Sequence, residues 1–351
     1  MTLRGEYKVP GGKLVRAEVV VDDGCISSAS VSGDFFLEPD EALECLDRAL
    51  VGVPAGAEPG ELVARLESAL PTGARLIGFG VHDVAVAVRR ALGRAVTWDD
   101  LEFDVISPVT KHPAWHVAMD EVIAAGVGSG QRRPTLRFWD WDTGLVVIGS
   151  FQSVRNEVDE EAAARYGISV VRRITGGGAM FMEPGNCITY SLVVPGTLVD
   201  GMTHEASYAF LDHWVLGALG AVGVTAHYQP LNDIASDVGK IGGAAQRRFV
   251  DGTVLHHVTM SYDIDADKML QVLRIGREKL SDKGIKSANK RVDPMRSQTG
   301  MTRAAIMEAF VSHFMGMYRC RISGYTPEED SAAEVLARQK FSDPGWTYRV
   351  P

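Results

Sequence analysis

A chain of 351 residues is longer than a single hydrophobic core usually supports, so the sequence predicts two domains. With 46% hydrophobic and 23% charged residues, the composition is typical of a globular protein and excludes a fibrous one. The formal net charge of -9 argues against non-specific binding to nucleic acid or to an anionic membrane surface. Any phosphate ligand would therefore have to be held by a local site.

The cysteines and the N-terminal residues bear on the compartment. Cys25, Cys45, Cys187 and Cys320 are widely separated and form no CxxC pair, which predicts a reducing environment and argues against a zinc site. The opening stretch MTLRGEYKVPGG is polar, and no apolar run approaches the roughly 20 residues that span a bilayer. We therefore expect a cytoplasmic protein without a membrane partner.

The first part of the chain predicts a small α+β unit. In LVRAEVVVDDGCISSASVSGDFF, alternating apolar residues surround the tripeptide DDG, a pattern that indicates an antiparallel hairpin. A helix is indicated between Pro39 and Gly52, and further helices at 59–70 and about 81–92. We therefore predict residues 1–95 as one domain.

The remaining part, residues 104–351, predicts a larger mixed α/β domain, with the boundary between about Gly93 and Phe103. A helix pattern at 115–125 is followed by the strand patterns TLRFWDW, GLVVIG, ISVV and CITYSLVV, which Gly, Asp and Pro separate. Apolar residues recur at helical spacing over 203–222, and VLHHVTMSYDID then alternates as a strand does. These elements predict helices packed on a sheet.

The stretch RRITGGGAM, residues 172–180, directly follows the apolar run ISVV. Its three consecutive glycines carry no Cβ, so backbone N–H groups can approach a ligand closely. Arg172 and Arg173 add guanidiniums that match carboxylate or phosphate oxygens. The stretch therefore indicates an anion site, and the alternative is a glycine-rich turn with two surface arginines. It matches neither GxGxxG nor a P-loop, so neither a dinucleotide fold nor a P-loop enzyme is indicated.

A second group of polar residues lies in LNDIASDVGKIGGAAQRR. Lys240 stands among glycines, so its ammonium could lie beside a carboxylate or a transferring phosphate without steric obstruction. Asn232 and Asp233 precede it, and an amide with a carboxylate could contact a base or hold Mg²⁺ through water. Each has a plainer alternative: an exposed solubilising residue for the lysine, and a turn for the Asn-Asp pair, which favours turns.

The paired histidines of TVLHHVTMSYD lie in a predicted strand. Strand alternation places His256 and His257 on opposite faces, so only one can easily face a site. The alternative for either is a packed structural residue.

Taken in order, RRITGGGAMFMEPGN, NDIASDVGKIGGAAQRR, HHVTMSYDID and KGIKSANKRV resemble the lipoate-protein ligase A family. The resemblance extends from about residue 104 to EVLARQKFSDPGWTYR and includes LRFWDW and GSFQS. It implies a mixed-sheet α/β catalytic domain related to biotin protein ligases and class II aminoacyl-tRNA synthetases. The N-terminal GEYKVPGGKLVRAEVVVDDG and SGDFF resemble the α+β accessory domain of such ligases, which assists acyl-adenylate formation.

The resemblance implies that lipoate and ATP give lipoyl-AMP, whose acyl group passes to a lysine of an apo lipoyl carrier domain, either a 2-oxoacid dehydrogenase E2 or a glycine cleavage H-like protein. Octanoate is a possible alternative substrate. Cations are needed where two anions meet, and Lys240 takes the position of the family lysine that touches the acyl carbonyl and the α-phosphate. The positions that line the acyl-adenylate fall on Arg173, Thr175, Gly176, Gly177, Gly178, Gly242 and His257, and those that contact the nucleotide and Mg²⁺ on Asn232 and Asp233.

The chain departs from the family at Met182 and Glu183, where many members have a His-Asp pair, and at Val258, where they have glycine.

The nearest rival function is an octanoyltransferase, which forms a thioester on a cysteine and needs no ATP. The stretch HYQPLNDIASDVGK has no cysteine, and Cys187 lies in a strand-like apolar run that is typical of a packed residue. Biotin ligation fits the motifs less well, and a non-catalytic acyl or nucleotide sensor is a further alternative.

Overall fold

A computed structural model describes residues 2–9, 12–93, 95–274 and 292–350. Residues 283–291 of the KGIKSANKRV motif lie outside the described residues. The chain divides into two compact units, one of Met1–Asp100 with Thr197–Phe210 and one of Leu101–Gly196 with Leu211–Pro351. Among the described residues, no helix combines the length and the apolar character that crossing a membrane requires.

The first unit packs helices against an antiparallel sheet. Its elements are β1 (Thr2–Lys8), β2 (Leu14–Asp22), β3 (Cys25–Gly33), β4 (Phe36–Glu38), α1 (Ala42–Leu50), α2 (Pro59–Ala69), β5 (Arg75–Ile77) and α3 (Val81–Ala91). β2 pairs with β1 and β3, and β4 forms a short ribbon with β5 that the sequence did not indicate. The predicted hairpin is confirmed: Asp23 and Gly24 connect its strands with φ of 47° and 76°, which suits the twist of a two-residue hairpin turn.

The core of this unit lies between the sheet and the helices. Val15, Ala17 and Val19 alternate along β2 and are fully or almost fully buried. A Cβ atom on Gly5 of β1 would lie 2.1 Å from the carbonyl oxygen of Ala87. Glycine is therefore required at this position, because α3 packs directly against the backbone of β1.

The first unit also includes Thr197–Phe210, which are distant in sequence from its other residues. Met202 packs against the same apolar core, and Asp200 forms an ion pair with Arg89 of α3. This unit is therefore built from two segments of the chain.

The second unit contains a large and a small sheet. Its strands are β6 (Phe103–Lys111), β7 (Thr135–Trp141), β8 (Leu145–Ile148), β9 (Ser169–Arg172), β10 (Met180–Met182), β11 (Cys187–Val194), β12 (His227–Gln229), β13 (Asp233–Ala235), β14 (Lys240–Arg248), β15 (Val254–Ser261) and β16 (Cys320–Ser323). The large sheet has the order β12-β13-β14-β15-β11-β7-β6-β16, in which β6 is parallel to β7 and β16 and the other pairs are antiparallel. The small sheet has the order β10-β8-β9. The predicted α/β class with a mixed sheet is confirmed.

Helices cover both faces of the large sheet. The helices of this unit are α4 (Pro113–Gly128), α5 (Val154–Glu157), α6 (Glu160–Arg165), α7 (His204–Ala221, most of which belongs to this unit), α8 (Ala266–Val272), α9 (Met295–Thr299), α10 (Arg303–Met317), α11 (Pro327–Leu336) and α12 (Pro344–Thr347). On one face, α4 contacts β7, β11 and β15. On the other, Trp214 of α7 packs against Tyr190 of β11 and Phe314 of α10. The small sheet shares an apolar core with α4 through Val147, so it lies on the α4 side.

Candidate active site

The last residue of β9, Arg172, and the next residue, Arg173, are buried and donate hydrogen bonds to the backbone. Arg172 is fully buried, and its guanidinium donates to carbonyl oxygens of the turn after β8 and of the C-terminal helix α12, those of Gly149, Ser150, Gln152, Trp346 and Thr347. Arg173 donates to the carbonyl oxygens of Val147, Gly176 and Gly178 and to Thr175 Oγ1. Both guanidiniums therefore hold the loop and strand in place.

The glycine loop that follows has open space on one side. Gly177 has a φ of 89°, and a Cβ atom there would lie 2.9 Å from Arg173 Nη2. By contrast, Cβ atoms on Gly176 or Gly178 would meet no atom within 4 Å. The loop thus needs glycine at its centre for conformation, and the backbone on either side of that glycine is accessible to a ligand.

A pocket lies between the strands β14 and β15 on one side and the glycine loop with the small sheet on the other. Its apolar wall is formed by Trp139, Val147, Ala179, Met180, Met182, Ala244 and Ala245. Its polar wall is formed by Arg173, Thr189, Asn232, Lys240, His257 and Thr259. The pocket therefore offers an apolar interior and a few polar groups, as small-molecule sites usually do.

Lys240 begins β14 and lies at the edge of this pocket. Its Nζ is 2.7 Å from Asp233 Oδ1, and both side chains are partly exposed. A Cβ atom on Gly243 would lie 3.0 Å from Lys240 Nζ, so glycine makes room for the lysine to lie across the strand. A Cβ atom on Gly242 would meet the backbone of β15 at Thr259, so this glycine serves strand pairing. Lys240 is therefore a cation whose position depends on its neighbours.

Asn232 and Asp233 lie beside Lys240 at the start of β13. The Asn232 side-chain amide donates to the carbonyl oxygen of Ala244 at 2.7 Å, which leaves its amide oxygen for another partner. A second, larger cavity adjoins the first and shares Lys240, Ala179 and Met180 with it. The two cavities meet at the lysine.

The two histidines of β15 point to opposite faces of the large sheet. His257 lines the pocket, where its Nε2 lies 2.8 Å from Thr175 Oγ1 and its Nδ1 lies 3.0 Å from Asp120 Oδ2. His256 lies in the core on the other face, with its Nε2 2.6 Å from Asp212 Oδ1 of α7. Burial lowers the pKa of His257, although Asp120 opposes this effect.

The contacts of His257 continue into a buried polar cluster that the sequence did not reveal. Arg137 of β7 is fully buried and donates to Asp120 Oδ1 at 2.5 Å and to His116 Nδ1 at 2.8 Å. Burial, and then the charge of Arg137, hold the pKa of His116 well below its usual range. His116 and Asp120 are four residues apart on α4, and that spacing was the available signal, since it places both on one helix face. Trp139 of β7 is a further pocket residue that sequence analysis did not single out.

One of the residues that depart from the family pattern, Met182, lines the pocket. Met182 is buried in the pocket wall, where its thioether extends the apolar surface. Glu183 pairs with Lys268 of α8.

Cys187 is completely buried in β11, and burial raises the pKa of its thiol to about 12. Such a thiol is protonated at neutral pH and is a poor nucleophile.

The described residues contain no cluster of three or more His, Cys, Asp or Glu side chains that could hold a metal ion. Asp233 is a single carboxylate that is already paired with Lys240. A magnesium ion usually keeps water and phosphate ligands besides one or two carboxylates. Asp233 therefore fits a magnesium ion only if that ion arrives with a nucleotide.

Comparisons with known proteins address the family directly. The family model of the lipoyl protein ligase A/B catalytic domain matches residues 112–315. The octanoyltransferase LipM of Geobacillus kaustophilus is 26% identical over 272 residues, which cover 68% of this chain and 94% of that protein.

Solved structures of ligases are also similar. One is a bi-partite lipoate protein ligase, reported with its E2 lipoyl domain, from Thermoplasma acidophilum; it is 28% identical, with a TM-score of 0.63 over 72% of this chain and 98% of that one. Another is a lipoate-protein ligase A bound with ATP, which is 25% identical, with a TM-score of 0.62 over 72% of this chain and 100% of that one. Ligases and a transferase are thus both among the similar proteins.

Proposed function

Because this chain belongs to the lipoyl protein ligase A/B catalytic domain family, we propose that it is an ATP-dependent lipoate-protein ligase. In this proposal it activates lipoate as lipoyl-AMP and transfers the lipoyl group to a lysine of a lipoyl carrier domain. The family assignment establishes an enzyme of the lipoate ligase and transferase group, and the dependence on ATP is the part that we propose.

One observation carries the proposal: Lys240 lies where the two cavities meet. The smaller cavity has an apolar wall that includes Val147, Met180 and Met182, which suits the aliphatic chain of lipoate or octanoate. The larger cavity is lined partly by polar residues such as Asp233 and Ser236, which suits a nucleotide. A ligand in each cavity would bring an acyl carboxylate and a phosphate to the same ammonium.

This arrangement matches the electrostatic requirement of adenylation. Attack of a carboxylate on the α-phosphate brings two anions together, and a fixed cation at the meeting point stabilises the charge that develops there. Asp233 holds the Lys240 ammonium in place before a ligand binds. Arg173 and Thr175 maintain the glycine loop, and Gly176, Gly177 and Gly178 would line the adenylate with backbone atoms.

Asn232 and Asp233 would contact the nucleotide and its magnesium ion, which would offset phosphate charge when bound. Gly242 would allow close approach of the strand, and His257 would line the acyl side. The ATP-bound structure of a similar lipoate-protein ligase A supports the choice of nucleotide.

We also propose that residues 1–95 act as an accessory domain that assists adenylation, and that residues 104–351 form the catalytic domain. The carrier would be an apo lipoyl domain of a 2-oxoacid dehydrogenase E2 or a glycine cleavage H-like protein. The Thermoplasma ligase, whose structure was reported with its E2 lipoyl domain, supports the first of these carriers.

The second candidate is an octanoyltransferase, which the similarity to LipM favours. An acyl-thioester mechanism needs a cysteine thiolate at the pocket, and none of the described pocket residues is a cysteine. Cys187 lies nearby in β11 but is buried, with a raised pKa. These observations support the ligase over the transferase.

We predict that Lys240→Ala reduces lipoate-dependent exchange between ATP and pyrophosphate by at least about a hundredfold, because it removes the cation on which charge neutralisation depends. The melting temperature should change little, since partly exposed ion pairs contribute only about 0–1 kcal/mol to stability. Exchange kinetics and thermal denaturation measure the two effects, and mass spectrometry of an apo carrier domain incubated with ATP, Mg²⁺ and lipoate or octanoate identifies the product.

Lys8→Ala is the matched control, because Lys8 is also an exposed lysine close to a carboxylate, at 3.9 Å from Asp34 in the first unit. It should retain wild-type exchange. Normal exchange in Lys240→Ala would refute the role of Lys240. Absence of exchange in the wild type, with acyl transfer from an octanoyl carrier protein, would identify a transferase; binding without either reaction would identify a sensor.

A further inference from the structure

A chain of buried hydrogen bonds connects the glycine loop to the centre of the large sheet. Starting from the loop, it runs from Thr175 to His257, then to Asp120 and to Arg137. The side chains of Asp120 and Arg137 are at most 1% exposed. These hydrogen bonds therefore connect a pocket wall to groups that no ligand can reach.

The charged groups in this series of hydrogen bonds determine which ring nitrogen of His257 carries the proton. Asp120 is a carboxylate that accepts from Arg137 through Oδ1, and its Oδ2 faces His257 Nδ1. A carboxylate oxygen at 3.0 Å requires a proton on that nitrogen, because two lone pairs would otherwise repel each other. His257 Nε2 is then an acceptor while the ring is neutral.

Thr175 completes the assignment. Its Oγ1 accepts a hydrogen bond from Arg173 Nε at 2.9 Å, so the hydroxyl proton remains available. That hydroxyl can donate to His257 Nε2, which lies 2.8 Å away. Since Arg173 also holds the carbonyl oxygens of Gly176 and Gly178, the hydroxyl belongs to the same hydrogen-bonded unit as the glycine loop.

We propose that Asp120 and His257 are positioning residues, which hold Thr175 and the glycine loop in the ligand-binding conformation through the Nδ1-protonated tautomer of His257. The inference rests on the proposed function only in that the loop lines the acyl-adenylate. His257 acts here through Thr175, since both of its ring nitrogens are engaged by protein groups.

The arrangement depends on pH, because a protonated His257 cannot accept from Thr175. The ionisable groups that act on the ring are Asp120 from α4, Arg173 from the loop and, through its charge from the opposite face of the sheet, His256. Burial lowers the pKa of His257 below its ordinary 6.5, so the folded protein keeps the ring neutral at pH values where the unfolded chain has begun to protonate. The stability from the neutral ring is thus present above pH 6.5 and is lost as the pH falls from there through the folded-state pKa.

The neighbouring pair of His256 and Asp212 provides an internal comparison. It also joins a histidine of β15 to an aspartate of a covering helix, at 2.6 Å, but on the face of the sheet away from the pocket. A merely structural role predicts the same consequences for both pairs. A positioning role predicts that only the Asp120 pair affects the loop.

The first test is the tautomer of His257, measured by long-range ¹H–¹⁵N correlation NMR on protein with ¹⁵N-labelled histidine and assigned by loss of the signal in His257→Gln. At pH 7.5 we expect protonated Nδ1 and unprotonated Nε2. Asp120→Asn should change this pattern, and Asp212→Asn should not. A wild-type ring with the proton on Nε2 would overturn the inference whether or not the protein has ligase activity.

The second test uses Thr175, because Asp120→Asn leaves Arg137 without its carboxylate and could impair folding. Thr175→Val preserves the shape of the side chain but removes the hydroxyl, and Thr175→Ser preserves the hydroxyl. We expect Thr175→Val to lower kcat/KM for exchange between ATP and pyrophosphate about tenfold, since misplaced binding groups slow a reaction. In this variant kcat/KM should also fall less steeply below pH 6.5 than in the wild type. Thr175→Ser should restore most of the rate and the wild-type dependence on pH.

Amide hydrogen exchange at Gly176–Gly178 separates this inference from the proposed function. It should be faster in Thr175→Val and unchanged in Asp212→Asn, even in a protein without ligase activity. Wild-type hydrogen exchange together with an unchanged pH profile in Thr175→Val would overturn the positioning role.

Discussion

The guanidinium of Arg172 is fully buried, and among the described residues it donates hydrogen bonds to backbone carbonyl oxygens alone. Such oxygens can stabilise a buried cation through several charge-assisted hydrogen bonds. Arg173 shares this behaviour but also borders the pocket. The two adjacent arginines therefore differ in access to a ligand, and Arg173 is the one that can respond to its charge.

Cys187 provides a test between a ligase and a thioester-forming transferase, because only the transferase would need its thiol as a nucleophile. Cys187→Ala removes a completely buried sulfur atom whose pKa is raised to about 12. We expect acyl transfer to the carrier to stay within about twofold of wild type, because a protonated, buried thiol does not attack an acyl group at neutral pH. Initial rates of carrier acylation, with circular dichroism to verify folding, measure this. A correctly folded variant that has lost acyl transfer would count heavily against the ligase assignment.

Among the elements, β15 shows how one strand serves two purposes. Its residues are buried on both faces, with His257 towards the pocket and His256 towards α7. The period of two along a strand separates neighbouring side chains by the thickness of the sheet. This is why two identical adjacent residues have different partners and different expected effects on activity.

The C-terminal helix α12 is a second element whose role follows from its contacts. The carbonyl oxygens of Trp346 and Thr347 accept from Arg172, and the Trp346 indole donates to the Arg172 carbonyl oxygen at 2.9 Å. Arg349, just after the helix, donates to Ser150 of the turn after β8. The helix is therefore tied to the base of the glycine loop.

We predict that removing residues 343–351 lowers the free energy of unfolding by about 3 kcal/mol, because Arg172 would lose acceptors for a buried charge, and hydrogen bonds to charged groups contribute about 1.5–3 kcal/mol. Urea denaturation measures this value. Tyr348→Phe is the control, since it removes only a bond to Glu160 at an exposed position and should change stability by less than about 0.5 kcal/mol. In an Arg172→Met background the truncation should lower the free energy of unfolding by a smaller amount. An equal decrease would show that the helix stabilises the fold independently of Arg172.

For the whole molecule, the question is what the first unit contributes. Its core is complete in itself, with helices α1, α2 and α3 packed on their own sheet, and it also includes Thr197–Phe210. The accessory role assigned to residues 1–95 remains a proposal that rests on the family resemblance. Because Thr197–Phe210 belong to the first unit, a deletion of residues 1–95 also removes the residues against which that segment packs. The activity of such a variant therefore has to be interpreted together with its thermal stability.

We predict that deleting residues 1–95 reduces adenylation, measured by exchange between ATP and pyrophosphate, at least about tenfold more than transfer from supplied lipoyl-AMP, because the proposed function of this domain is to assist the first step. The deletion uncovers Met202 and separates Asp200 from Arg89, so thermal denaturation has to verify that the remaining chain is folded. Equal loss of both steps in a folded variant would argue for a scaffold role.

The sequence by itself determined the family, the α/β class, the hairpin at Asp23 and Gly24, and the placement of the two histidines of β15 on opposite faces of the sheet. These features depend on local patterns: the order of motifs, the turn residues and the period of a strand. Sequence analysis also selected Lys240, Thr175 and the glycines as site residues, whose roles remain proposals.

Only the tertiary structure decided which groups meet. Asp120 and His257 are 137 residues apart, and Arg172 and Trp346 are 174 residues apart, so no local period relates them. A periodic pattern specifies which face of an element is buried but not which residue of a distant element lies against it, because that depends on the packing of all layers together. Of the two arginines in the predicted anion site, Arg172 donates its hydrogen bonds to backbone carbonyl oxygens, while the ligand contact of Arg173 at the pocket remains a proposal. The carboxylate that faces His257 belongs to a helix without a recognised motif.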